Sequence, residues 1–477
     1  MNRFGCASSS FAASRGAAAL LLGLVVAACD VPAAEGEGEG EGEGEGEGEG
    51  EFVVDDGVYD FESRFVPGTS SVAYNGQATR HLLIAELKAF MGGIDPLAAR
   101  YADANAVVAD LNFYFDNTAL ADEPINVDFQ GVALDATTFG DVGSASVRAK
   151  LRNLDIGDDA PVIGYGDGTL NAEGVIDDLF ARFAANVVAF NDGRPPQIDG
   201  ADVPHPFIDG DGVDHQQLVQ KYLDGAIAFS QSSADYLRTD LEGEGLLADN
   251  TVAVDGQPYT ALEHGWDEAF GYFGAARRFG VQTVSENSSG FVDVDGDGLV
   301  DWKTEANYGH ARAGATRDAT SNPAAPTTYS QDAFRALYDG RALITAAGGA
   351  LDATDAAALR ALRDEAVENW EKVLGATCVT YVNQVIGFML AADADHDLVG
   401  HAKLWSELKG MLLAIQFNPD SPLDHAAAHA LVGDAPVLDR AAVADGVADL
   451  LALRALLAST YDFAPENLGD DAGLGGW

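Results

Sequence analysis

The chain has 477 residues, 47% of them hydrophobic, with 27 Lys and Arg against 76 Asp and Glu and a formal charge of −49. So acidic a chain has no basic surface with which to displace counterions, which excludes nucleic acid as a partner, and anionic head groups repel it, so membrane attachment needs a covalent anchor. Only three cysteines are present, Cys6, Cys29 and Cys378, so no disulfide framework holds the fold, and the roughly 425 residues after the first fifty must rely on their cores.

The chain opens with "MNRFGCASSSFAASRGAAALLLGLVVAAC", two early arginines followed by an apolar run from Ala17 to Ala28 that is too short for an ordinary membrane span. Residues 1–28 read as an export signal peptide. Its end, Val26-Ala27-Ala28-Cys29, resembles the lipobox of bacterial lipoproteins, in which small residues fit the signal peptidase and the cysteine thiol takes the lipid. A plain secretory signal is the alternative. Residues 29–52 then hold Cys29, Asp30 and a strict Glu-Gly alternation from Glu35 to Glu51. That stretch has nothing apolar to bury and repels itself, so it is expected to be a disordered tether, reaching roughly 20–25 Å as a flexible chain. These features imply a cell-envelope location, lipid-anchored on the periplasmic face or the cell surface.

The body, 53–470, begins with an irregular segment of aromatic clusters such as "LNFYFDN". The first clear helix is "ATRHLLIAELKAFMGG", with Leu82, Leu83, Ala85, Leu87 and Phe90 at helical spacing and Gly92-Gly93 as a stop. Apolar residues recur at three- and four-residue intervals over 175–191, 215–237, 259–279 and 330–349. The longest such segment runs from Thr354 to about Ala391, with Cys378 on its apolar stripe as a buried small hydrophobe. Helices over 401–417 and 441–459 complete the series. Period-two runs are few, so the expected fold is all-α, a bundle-like array of about eight to ten helices interrupted by an acidic, Asp-rich loop.

That loop is "FVDVDGDGLVDWKTE" (291–305). Asp293, Asp295 and Asp297 stand at positions one, three and five of a calcium-loop pattern, Gly298 supplies the turn, Leu299 offers its carbonyl and Asp301 stands at nine. The bidentate glutamate of position twelve is missing; Thr304 is there and Glu305 follows. Calcium is the natural occupant, and a solvated acidic turn is the alternative. The shorter runs "DGDGVDH" (209–215) and "DADHD" (393–397) read better as helix-capping aspartates.

A second candidate site lies in "LEHGWDEAFGYFG" (262–274). Unrolled at 100° per residue, Leu262, Trp266, Ala269, Phe270 and Phe273 share one side and His264, Asp267, Glu268 and Gly271 the other. His264 and Glu268, four apart, suit two ligands of one metal or an ordinary surface pair. Gly265 and Gly271 on a polar face suggest the close approach of another group, since glycine weakens a helix. His401 and Glu407 in "GHAKLWSELKGMLLAIQFNP", and His310 in "EANYGHARAGATRD", are further candidates for the same centre.

The stretches "YDFES…SVAYNGQATR", "DGVDHQQLVQKYLDGA", "HGWDEAFGYFG", "DVDGDGLVDWKTEANYGHARAGATRD" and "SELKGMLLAIQFNP" resemble an uncharacterised family of bacterial envelope lipoproteins, domain of unknown function forty-eight fifty-six. The resemblance spans Tyr59 to Pro419 and implies a helical fold and an envelope location rather than a reaction. That family is similar in turn to imelysin-like envelope proteins, linked with iron uptake and once classed as peptidases. Their His-x-x-Glu step has its nearest match in His264-Gly265-Trp266-Asp267, with aspartate for glutamate and Leu262 in place of the preceding glycine. The leading expectation is a non-enzymatic envelope protein that binds iron or another transition metal and carries a structural calcium. A calcium-stabilised scaffold for a protein or glycan partner is the second, and a metallopeptidase the third.

Overall fold

The computed structural model describes residues 57–94, 101, 103–117, 120–392 and 396–477. The expected signal peptide, Cys29, the Glu-Gly tether and most of "DADHD" lie outside these residues. The described chain is all-α, as expected, with one two-residue antiparallel hairpin, β1 (Gln197–Ile198) and β2 (Ala201–Asp202). In order, the helices are α1 (Asn75–Gly93), α2 (Ala104–Asp116), α3 (Phe139–Val142), α4 (Arg152–Asp155), α5 (Ala172–Asn191), α6 (His215–Leu223) and α7 (Ala261–Phe273). Then come α8 (Val284–Ser289), α9 (Gly309–Thr320), α10 (Tyr329–Ala347), α11 (Ala353–Leu390), α12 (Leu398–Ile415), α13 (His425–Val432) and α14 (Val443–Tyr461).

Among the described residues, fourteen α-helices exceed the expected eight to ten because α3, α4, α8 and α13 have eight residues or fewer, too few to show a period. Two longer ones were also hidden: α9, "GHARAGATRDAT", has no apolar stripe, and α2 holds the aromatic cluster that had no clear reading.

The 38-residue α11 organises the core, packing against α9, α10, α12 and α14. It is long and apolar enough to cross a membrane, but 72% of its most apolar window is buried inside the fold, which makes it a core helix. Cys378 sits on it, fully buried and unpaired, its thiol pushed upward by burial. Many of the acidic residues serve as caps. Asp214, Asp352, Asp397 and Asp424 accept hydrogen bonds from the first turns of α6, α11, α12 and α13, satisfying donors that the helix cannot and meeting the positive end of its dipole.

The segment 215–237, expected as one helix, is α6 continuing into two π-helical stretches, Asp224–Phe229 and Ser232–Tyr236. Here α6 and α12 approach closely through glycines. A Cβ on Gly225 would lie 2.3 Å from Ala414 Cα, and one on Gly410 2.6 Å from Lys221 Cβ. π-turns of this kind are rare and concentrate at functional sites.

Candidate functional site

The acidic loop joins α8 to α9 and is fixed at both margins. Phe291 bridges Ala306, Leu134 bridges Val300, and Tyr74 and Tyr308 donate to the carbonyls of Lys303 and Trp302 at 2.9 and 2.7 Å. Buried Val300 and Trp302 anchor it to the core. On this frame Asp293, Asp295 and Asp297 each bring a carboxylate oxygen within 4.8 Å of the others, the one set of three or more His, Cys, Asp or Glu side chains so placed among the described residues. The same carboxylates accept backbone N–H groups of Gly296, Gly298, Asp297 and Leu299, which presets the turn.

Two members of the expected ligand set stand apart. Glu305 is buried at the base of the loop, where its oxygens accept from Val294 N at 2.6 Å and Asp301 N at 3.0 Å. Being one place late for the bidentate position, it clasps the loop from beneath with both oxygens engaged. Asp301 accepts from Lys303 N and Thr304 N and turns the chain out of the loop. Leu299 is exposed at the seventh position.

The α7 candidate is corrected more deeply. Thr260 and Glu263 form a capping box at its start, with Glu263 1% exposed, and Asp267, placed on the polar side by the helical wheel, is 0% exposed. Between them lies the buried guanidinium of Arg341 from α10, whose Nε donates to Asp267 Oδ1 at 2.8 Å while Nη1 reaches Glu263 Oε1 at 3.4 Å. Tyr59 OH also donates to Asp267 Oδ1, at 2.9 Å, and Arg341 Nη2 donates to Ser71 Oγ at 2.6 Å. The two carboxylates hold Arg341 firmly charged. Asp267 is therefore a structural ion-pair partner, and the His264–Asp267 step presents no paired ligands. His264 stacks on Tyr259 at 4.5 Å and lies 3.8 Å from Glu268, which accepts from Gln77 at 2.8 Å. Gly271 does mark a close approach, for a Cβ there would lie 2.6 Å from Tyr74 Cβ, whereas Gly265 faces nothing within 4 Å.

The three other candidates do not complete that centre. His401 is buried beside His396, ring nitrogens 3.1 Å apart, and stacks on Phe388; burial and His396 lower it to about 4. His310, at the start of α9, accepts from Trp370 Nε1 at 2.9 Å, and burial with Lys221 and His81 nearby lowers it to about 3. Glu407, on α12, belongs with His310 in one region, since both lie within electrostatic reach of Lys221.

Lys221 and Asp224 were missed by sequence reasoning. The available signal was a lysine and an aspartate inside the otherwise apolar run "LVQKYLDGAIAF". Asp224 is 3% exposed, its carboxyl raised to about 6 by burial against the opposing pull of Lys221 and Lys88. Lys88 is lowered to about 8, chiefly by burial, and its ammonium donates to Gln220.

No curated protein and no solved structure matches the chain. A family match covers residues 171–418, which contain α5 to α12, the acidic loop, Arg341 with Glu263 and Asp267, and the π-turns. The chain belongs to the family described as Domain of unknown function (DUF4856).

Proposed function

We propose that this protein is a lipid-anchored, non-enzymatic component of the bacterial cell envelope, a calcium-stabilised scaffold that presents its helical body to a protein or glycan partner. The observation that carries the reading is the convergence of the Asp293, Asp295 and Asp297 carboxylates within 4.8 Å on a loop tied to the core on both sides. Calcium gathers six to eight oxygens at about 2.3–2.6 Å, and three carboxylates, the Leu299 carbonyl and water meet that need without a rigid cage. The envelope location and the Cys29 anchor rest on the lipobox-like end of the leader and on the Glu-Gly tether.

A transition-metal centre, of iron or another ion, has less support. Asp267 is committed to Arg341, and His264 with Glu268 has no third ligand among the described residues. The metallopeptidase reading needs an open metal position and a general base, and inherits the same shortage. Calcium titrated calorimetrically into the purified protein is expected to bind one site per chain, with Asp295→Asn weakening it at least tenfold. Absence of saturable heat, or an unchanged affinity in Asp295→Asn, would overturn the assignment.

A further inference from the structure

The run "DGDGVDH" (209–215) does more than cap α6. Asp214 is the cap, while Asp209, six residues before His215, accepts from its Nε2 at 3.1 Å on Oδ2. Asp209 Oδ1 accepts from the N–H groups of Asp211 and Val213 at 3.0 and 2.9 Å. Against burial, His215 and these N–H groups hold the Asp209 carboxyl below its usual range, so it accepts and the His215 proton stands on Nε2. In the neutral ring Nδ1 is then an acceptor, and it is buried with no hydrogen-bond partner. Buried polar atoms are satisfied in native proteins, so this one calls for a donor that the described chain does not supply.

His215 lines a cavity of about 180 Å³ with Lys409 and Trp405 of α12, Leu179 and Arg182 of α5, and Tyr165 of the loop before α5. Hydrogen bonds tie its walls together. Asp214 N donates to Ser406 Oγ at 2.8 Å, which sets the first turn of α6 against α12. Ile163 N donates to the Gln416 side chain at 2.8 Å and accepts from it at 3.1 Å. Tyr165 OH and Arg182 Nε both donate to Asp178 Oδ2 at 2.7 Å, which ties the same loop to α5. Gly164, at φ +81, sits where a Cβ would lie 2.0 Å from His429 Cγ, so only glycine lets the loop lie so close. Lys409 is 3% exposed; its ammonium donates to Gly433 O at 2.7 Å, and Asp434 Oδ1, at 3.6 Å, is too far for a second bond. Burial lowers this lysine to about 8 against the pull of Asp434. Arg182 and Asp434, both exposed, stand at the mouth, so the cavity is reached from solvent.

We infer that this cavity binds a small hydroxy acid, its carboxylate on the Lys409 ammonium and its hydroxyl donating to His215 Nδ1. The ammonium has donors to spare and the imidazole lacks one, so a ligand that satisfies both carries an anionic acceptor and a donor on one skeleton. Trp405, Tyr165 and Leu179 give that skeleton an apolar wall. At roughly 30 Å³ per water the space holds about six waters, which limits the ligand to a few carbons. Asp209 is a positioning residue, fixing the His215 ring and its tautomer. The site is separate from the aspartate triad, for no residue lining the cavity lies in the acidic loop.

Sodium lactate, sodium propionate and propylene glycol, which differ by one hydroxyl or one carboxylate, test this when titrated calorimetrically into the full chain at constant ionic strength and fixed calcium. Lactate is expected to bind saturably, at least fivefold tighter than propionate, with propylene glycol weaker still. Lys409→Met should weaken lactate at least tenfold, and His215→Phe should cut its advantage over propionate below twofold. Lys372→Met, at a pair with Glu368 away from the cavity, should leave lactate binding unchanged. Circular dichroism checks that each variant folds; if neither site variant does, the three-ligand comparison on the wild-type chain remains the test. Absence of saturable lactate binding, equal affinity for lactate and propionate, or wild-type affinity in folded Lys409→Met would overturn the inference.

Discussion

Gly265 and Gly271 lie on one helix and respond oppositely to an added methyl group. Nothing stands within 4 Å of a Cβ at Gly265, so Gly265→Ala restricts the unfolded chain at no steric cost and should stabilise by about 0.5–1 kcal/mol. At Gly271 the methyl meets the Cβ atoms of Tyr74 and Gln77 at 2.6 and 2.9 Å, and Gly271→Ala should cost about 1–3 kcal/mol. Urea denaturation of the two variants measures both. His310 provides a pH test. Its folded value, about 3, lies far below the free imidazole, so in that window the unfolded chain binds the proton and the folded one does not. The stability held by a neutral His310 is complete above the unfolded pKa and is lost as pH falls toward the folded one. His310→Gln, which keeps an acceptor for Trp370, escapes this loss. The stability gap between wild type and variant should narrow by about 2 kcal/mol from pH 7 to pH 5.

Among elements, the join of α7 to α10 depends on one cation. Arg341→Met removes the guanidinium between Glu263 and Asp267, leaving buried Asp267 with no cation and Glu263 with Arg64 alone, so it should cost about 3–5 kcal/mol, seen as a lower urea midpoint. Periodicity made α5, α10, α11, α12 and α14 legible, and the capping aspartates of the two shorter acidic runs marked two starts, Asp214 for α6 and Asp397 for α12. The polar half of α7 was misread for a physical reason. A helical wheel sends Asp267 to the polar side because it holds no information on partners that arrive 74 and 208 residues away, as Arg341 and Tyr59 do. Only Glu263 carried a local sign of its role, in the Thr260-x-x-Glu263 capping box. The aspartate triad was legible because its ligands are contiguous; the cavity beside His215 was not, because its walls come from three separate helices, α5, α6 and α12, and the loops around them.

At the scale of the whole molecule, a charge of −49 disfavours compactness through self-repulsion, and a bound divalent cation relieves part of it where acids are densest. A calcium concentration a hundredfold above Kd should add about 2.7 kcal/mol and raise the melting temperature by several degrees, a gain that Asp297→Asn should largely remove. Magnesium, which demands near-octahedral geometry and gives up water reluctantly, should do much less. The proposed tether and anchor would hold this body at the envelope without asking its acidic surface to touch lipid. Elemental analysis of the protein purified from its native membrane without added metal reads the bound ion directly. One calcium per chain, with iron, copper and zinc all far below stoichiometric, is the expected result; a stoichiometric transition metal with no calcium would contradict it.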